Sequence, residues 1–302
     1  MLYLYYHIIY LLSIERMFLM IRLSAFADEA DASFDGQLAA LKRNEIDYIE
    51  VRGLDGTNVS DVSEEKAAEY AARLAEAGIK VWSIGSPIGK IKISDDTDAH
   101  LKKLRHVCRL ANIFGTDKIR MFSFYEAYGE SEKVFSLLSE MVEIANEYGV
   151  KLCHENEKKI YGDTLERVLE ISEKVPGLAL IYDPANFIEV GEDPKKTLSA
   201  LHGMSEYFHI KDVIAETGQL VPAGYGNGRI GELIEWIGDS DKVLTIEPHL
   251  KVFKGYAEID DSEMKNKFNY ASNNEAFDAA VSALKAVIES KGYKYTSGGY
   301  VR

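Results

Sequence analysis

This 302-residue chain has little cysteine, little histidine, a deficit of positive charge and no long uninterrupted apolar run after its first residues. Its two cysteines, Cys108 and Cys153, form no CxxC and no Cys/His zinc spacing. That excludes a thiolate zinc module and a disulfide scaffold, and two reduced, buried thiols of a cytoplasmic protein are the expectation. Against 49 acidic residues stand 35 lysines and arginines, a formal net charge of −14. Such a surface repels nucleic-acid phosphates and anionic lipid, so neither nucleic acid nor membrane is an expected partner. The apolar stretch at residues 1–20 is broken by Glu15 and Arg16 before about 20 apolar residues accumulate, too short to span a bilayer. It also lacks the basic start and small-residue cleavage site of a signal peptide. Residues 1–20 are therefore expected to be an N-terminal extension, either a mis-assigned start preceding Met17 or Met20 or a disordered tail, with one domain over 21–302. No linker or low-complexity tract divides that domain.

From Ile21 onward, strand-like and helix-like runs alternate eight times. The strand candidates are Ile21–Ala27, Tyr48–Arg52, Lys80–Ile84, Lys118–Phe122, Val150–Glu155, Ala179–Asp183, Tyr207–Lys211 and Val243–Glu247. Between them apolar residues recur at three- and four-residue spacing, as in Leu101/Leu104/Val107/Leu110 and Val134/Leu138/Met141/Ile144. Gly78, Gly115, Gly149 and Gly177 fall where helices should end, and Asp163 with Glu166 reads as a capping box. Strict β-α alternation implies parallel strands. The first strand runs into Ser24-Ala25-Phe26-Ala27-Asp28-Glu29, with no GxGxxG, against a dinucleotide-binding open sheet. Eight units favour a single (β/α)8 TIM barrel, in the α/β class.

In such a barrel the chemistry lies at the C-terminal strand ends. Strands five to eight end in Glu155, Asp183, His209 and Glu247. Any one of these acids could merely cap a helix. All four at equivalent positions suit one hard or borderline divalent ion, Mn2+, Mg2+, Co2+ or Zn2+. Without a cation the converging carboxylates would repel one another. Side chains two apart share a strand face, so Lys211 follows His209, His249 follows Glu247, and Glu157 follows Glu155 as a rival fifth-strand ligand. By the same rule His154 faces the helices as a structural residue. Glu50 and Arg52 end the second strand and either line the pocket or form a structural ion pair. Lys90, after the third strand, reads as a solvated lysine, or as one that meets an anion. Arg229 beside a glycine-rich loop could hold an anion with backbone amides. Trp82 and Phe124 could form an apolar wall of the pocket or simply pack. His100, His106 and His202 read as helix residues with surface or packing roles.

The stretches HENEKKIYGDT (154–164), YDPANF (182–187), HIKD (209–212), PAGYGNG (222–228) and TIEPH (245–249) resemble those of the xylose isomerase-like superfamily of barrels. The resemblance runs over nearly the whole chain after Ile21. It implies one metal ion on Glu155, Asp183, His209 and Glu247, with Glu155 and Glu247 also moving protons on opposite faces of a sugar or sugar phosphate. Alongside this set, Lys211, His249, Arg229, Glu157, Asn186 and Trp82 are the candidate substrate contacts, and dimers and tetramers are common among such proteins, so a homo-oligomer is an expectation. Many members read Glu-Asn-His after strand five, where this chain reads Glu-Asn-Glu. The implied activity is a metal-dependent isomerase or epimerase working through an enediolate. The alternative is an inosose-type dehydratase on the same site. An apurinic endonuclease-like phosphodiesterase fits less well, because that class has a histidine where Asn186 stands and uses more histidines than this chain's seven. A non-catalytic sugar-binding barrel would be expected to have lost one of the two glutamates.

Overall fold

The computed structural model describes residues 20–238, 240–251 and 268–302. Residues 1–19, the bulk of the expected extension, lie outside the described residues. The barrel strands are β1 (Ile21–Ala25), β2 (Tyr48–Val51), β3 (Lys80–Ile84), β4 (Lys118–Met121), β5 (Lys151–Glu155), β6 (Ala179–Tyr182), β7 (Ser205–Ile210) and β8 (Lys242–Ile246). Each pairs in parallel with its neighbour, and β8 returns to β1 with Ile21 opposite Lys242 and Ala25 opposite Ile246. The sheet is therefore closed, a single α/β TIM barrel.

The outer helices are α1 (Phe34–Arg43), α2 (Glu64–Glu76), α3 (Thr97–Phe114), α4 (Ser131–Glu147), α5 (Leu165–Lys174), α6 (Pro194–Leu201), α7 (Ile230–Ile237) and α8 (Asn273–Ser290). Side chains that accept backbone N–H groups open most of them: Ser33, Ser63, Asp96, Thr164, Asp193 and Ser272. The capping box expected at Asp163 does not form, and the cap lies one residue later. Thr164 caps α5, while Asp163 bonds Tyr128 and Arg167 instead. At the far end of α3, Gly115 takes the left-handed conformation (φ 71°) that reverses the chain into β4. The apolar stripes of α3 and α4 are buried, Leu104, Val107 and Leu110 on one and Val134, Leu138 and Met141 on the other, between helix and sheet.

Strand alternation divides each strand between two environments. Outward residues such as Ile119, Leu152 and Leu180 join the main apolar core. Inward residues fill the cylinder. Its lower part is apolar, with Cys153, Ile181, Tyr207 and Val243 packed beside Trp82. Its upper part is polar and charged. After β8 a hairpin of β9 (Lys294–Thr296) and β10 (Gly299–Val301) sets Tyr300 antiparallel to Ile21 below the barrel. Among the described residues, no helix is long and apolar enough to cross a membrane.

Candidate metal centre

Glu155 is the last residue of β5, while Asp183, Glu247 and Lys211 lie just beyond β6, β8 and β7. His209 is the penultimate residue of β7. Four of these, Glu155, Asp183, His209 and Glu247, converge in the mouth of the cylinder, each offering a ligand atom within 4.8 Å of the others. All four are at most 2% exposed. His209 stands between the glutamates, with Nδ1 3.0 Å from Glu155 Oε1 and 2.9 Å from Glu247 Oε2.

Asp183 divides its carboxylate between two tasks. Oδ1 accepts the N–H groups of Ala185 (2.8 Å) and Asn186 (3.2 Å), capping the short helix Pro184–Glu189. Oδ2 accepts no hydrogen bond and faces the Lys211 ammonium at 3.1 Å. The capping reading of this residue is thus realised on one oxygen, and the other oxygen faces the cluster. Asn156 fastens β5 to β6 by donating to the Asp183 carbonyl and accepting its N–H, both at 2.9 Å.

Burial alone would push every carboxyl here upward, so the departures show which charges win. Asp183 is raised by burial to about 7 despite Lys211. Burial is the largest single influence on Glu155 and Glu247 as well, but it is outweighed by the His209 charge acting together with Arg120 and a His209 hydrogen bond on Glu155, and with His209 and His249 hydrogen bonds and the Lys211 charge on Glu247, so both lie below the usual range, Glu247 well below. Desolvation opposes the His209 cation, yet Glu155, Glu50 and Glu247 raise it well above an ordinary imidazole. Lys211, desolvated but beside Asp183, stays firmly protonated.

The donor set fits a divalent cation. Asp183 Oδ2 and Glu247 Oε2 are buried oxygens that accept no well-aligned hydrogen bond and are met only by the Lys211 ammonium at 3.1 Å and the His209 ring at 2.9 Å, and such under-satisfied groups are costly to bury. Three carboxylates with one imidazole are what a hard or borderline ion prefers. Glu29, Glu247 and His249 form a second cluster of ligand-type atoms alongside. There His249 Nε2 lies 3.3 Å from Glu29 Oε1 and 3.4 Å from Glu247 Oε1.

The other expected site residues divide sharply. Asn186 reaches the centre, donating to Glu155 Oε1 (3.4 Å) and the Asn156 carbonyl (2.8 Å) and accepting from Lys211 (2.7 Å). Lys211 and His249 are also in place. Glu157 is not among the clustered ligand atoms. It pairs with Lys90 at 3.3 Å, and that lysine is no solvated residue: its side chain is 8% exposed and lies 4.4 Å from the Phe122 ring. The turn that brings Lys90 there needs Gly89, whose φ is 89° and where a Cβ would come within 2.0 Å of the Phe122 carbonyl oxygen.

Trp82 is a correction. It packs edge-on against Tyr48 and Tyr207 and under the Lys118 ammonium, in the lower layer and beside a cavity of about 550 Å3 at the opposite end of the barrel. Its position two residues before the end of β3 sets that depth. Arg229 is another. It pairs with Glu232 one turn into α7 (Nε to Oε2 2.8 Å), a third exposed, rather than facing the centre. The neighbouring glycine-rich loop is organised instead by Asp212, which accepts N–H groups from Val213, Gly224, Gly226 and Gly228 at 2.8–3.0 Å. Phe124 is core, edge-on to His100, and His100 accepts the Gly89 N–H (2.9 Å). His154 is fully buried on the helix side, against Ser123.

Two arginines complete the mouth. Arg52 is bidentate on Asp28 (2.9 Å twice) and also reaches Glu29 (3.2 Å) and Glu247 (3.0 Å). Arg120 contacts Glu155 at 3.2 Å and Glu247 at 3.7 Å. The two guanidinium carbons flank the Phe26 ring at 4.2 and 4.9 Å, and that ring meets His209 edge-on at 5.2 Å. Asp28, Glu29 and Arg120 escape a reading of strand ends alone. For Arg120 there is a signal, a second charged residue two after Lys118 on the same strand face of Lys118-Ile119-Arg120-Met121.

Residues 38–287 match the family model of the xylose isomerase-like TIM barrel. The chain belongs to that family. Among curated proteins, a 3-dehydroshikimate dehydratase of Bacillus anthracis is 22% identical over 228 residues, 68% of this chain and 81% of the relative. Among solved structures, an L-ribulose 3-epimerase superposes with a TM-score of 0.69 at 19% identity, over 90% of this chain and 95% of its own. A xylose isomerase-like TIM barrel protein from Mycobacterium smegmatis, in complex with magnesium, does so with a TM-score of 0.63 at 15% identity, over 91% and 99%. The proteins that this chain resembles thus include a dehydratase and an epimerase.

Proposed function

We propose that this chain is a divalent-metal-dependent isomerase or epimerase acting on a ketose or related polyol. The observation that carries the reading is the pair Glu155 and Glu247, set on either side of His209 within the four-residue cluster. Glu155, Asp183, His209 and Glu247 would hold the ion. When bound, it supplies Lewis acidity toward a carbonyl and its adjacent hydroxyl, worth several kcal/mol of barrier reduction. The proton-transfer steps belong to the chain. One glutamate takes the proton from the carbon between those two groups, giving an enediolate. The other returns a proton, to the opposite face of the same carbon for epimerisation. Lys211, cationic and fixed by Asp183 and Asn186, stabilises the oxygen on which charge develops. Phe26, held between Arg52 and Arg120, packs edge-on against His209 and steadies its ring.

A dehydratase is the second reading, favoured by the Bacillus anthracis relative and by the same lysine. After proton removal by a glutamate, the C–O bond at the next carbon breaks. The departing hydroxide takes a proton from Lys211 and leaves as water, creating a double bond.

Incubation of ketoses, inososes, their phosphates and 3-dehydroshikimate with the Mn2+-loaded protein in deuterated water separates the readings. Deuterium next to the carbonyl without water loss supports the isomerase; water loss supports the dehydratase. Glu247→Gln is expected to lower exchange by about 10^2–10^4-fold. Exchange at full rate in that variant removes Glu247 from the mechanism.

A further inference from the structure

Beneath the metal-type cluster lies a carboxylate with no access to solvent. Glu50, from β2, is 1% exposed. Three donors converge on it from β7 and β8. His209 Nε2 lies 3.1 Å and Thr245 Oγ1 3.0 Å from Oε2, while the Tyr207 hydroxyl lies 2.9 Å from Oε1. Tyr207 is itself within 3.2 Å of the Ser83 hydroxyl and packed against Trp82. Glu50 is not one of the clustered ligand residues, and it lies behind His209 on the side away from Glu155 and Glu247.

An imidazole has two nitrogens, and a neutral ring can offer a lone pair from only one of them. In His209 the nitrogen facing Glu155 and Glu247 is Nδ1, so the proton must sit on Nε2 for the ring to serve as a ligand there. A carboxylate accepts hydrogen bonds and donates none, so Glu50 admits only the ring whose Nε2 carries a proton. The Tyr207 and Thr245 hydroxyls hold the carboxylate and leave it no other orientation. We infer that Glu50 is the positioning residue of the centre: it fixes the His209 proton on Nε2 and so selects Nδ1 as the metal-binding nitrogen.

This rests on the metal-centre reading above, and the test separates the two. Mn2+ binding to the metal-free full chain is measured by calorimetry for wild type and Glu50→Gln, with thermal melts of the metal-free proteins alongside. The amide keeps the shape but can present N–H to Nε2, which drives the ring proton onto Nδ1. Expected are melts that stay close together and Mn2+ affinity about 10–100-fold weaker in Glu50→Gln. In the Zn2+-loaded wild type, the nitrogen-15 spectrum should place the His209 ring proton on Nε2. Equal Mn2+ affinity in the two proteins, or a ring proton on Nδ1, overturns the inference alone. A wild type that binds neither Mn2+ nor Zn2+ overturns the metal reading, and this inference with it. Should Glu50→Gln fail to fold, Tyr207→Phe deletes one donor to the carboxylate. An affinity loss of about threefold or more is then expected, and unchanged affinity overturns the inference.

Discussion

Replacing Arg52 by methionine probes the charge balance of the barrel mouth. The side chain is 2% exposed and touches three carboxylates, Asp28 through two bonds, Glu29 and Glu247. Methionine has comparable length, so packing against Phe26 is largely kept and the charge alone is removed. Breaking a buried ion pair by deleting one partner costs about 3–5 kcal/mol, because the remaining charge is desolvated and unmatched. For a chain of this size that corresponds to a fall in Tm on the order of 5–10 °C. The loss should also depend on pH. Burial already raises Glu29 against the lowering pull of the Arg52 charge, so without Arg52 it moves further up. A carboxyl whose folded pKa exceeds its unfolded value weakens the fold as pH rises through that interval. The deficit of Arg52→Met relative to wild type must therefore be larger at pH 8 than at pH 5. Urea unfolding of the metal-free proteins at both values measures it. A deficit below about 1 kcal/mol, or one equal at both pH values, would refute the reasoning, since the three acids would then be no more than ordinary solvated groups.

Other perturbations bear on separate links of the argument. Asp212→Ala removes the acceptor of four backbone N–H groups and should cost about 2–4 kcal/mol. Hydrogen exchange should accelerate at 224–228, and an unchanged exchange pattern would show that the loop holds itself. His100 is held near 4 by burial, against an ordinary value of 6.5. Its folded pKa is depressed, so the unfolded chain takes up the proton first and stability drains away as pH falls from about 6.5 to about 4. The wild type should lose roughly 2–3 kcal/mol more than His100→Gln across that window; parallel urea curves would count against the assignment. Trp82→Phe should leave metal affinity and turnover within about twofold, because the ring packs at the opposite end of the barrel. A loss of tenfold or more would return Trp82 to the site.

The alternation of eight strand-like and eight helix-like runs already points to the architecture, because parallel strands joined by helical crossovers are covered by helices and eight such units favour a closed barrel. Period-two geometry then places Glu155, Asp183, His209 and Glu247 at strand ends with their side chains inward, so the chemistry of the mouth is legible along the chain. Tertiary structure decides what that periodicity does not encode, namely which strand ends meet across the cylinder and at what height. Only closure sets Glu50 beneath His209, 159 positions away, and Arg52 against Glu247, 195 positions away. Only the register of β3 sinks Trp82 to the lower layer, while the turn at Gly89 lifts Lys90 to Glu157. Local periodicity records direction within a strand. Partnership across a closed sheet depends on stagger and on the burial cost of each charge, quantities that exist only once the cylinder has formed.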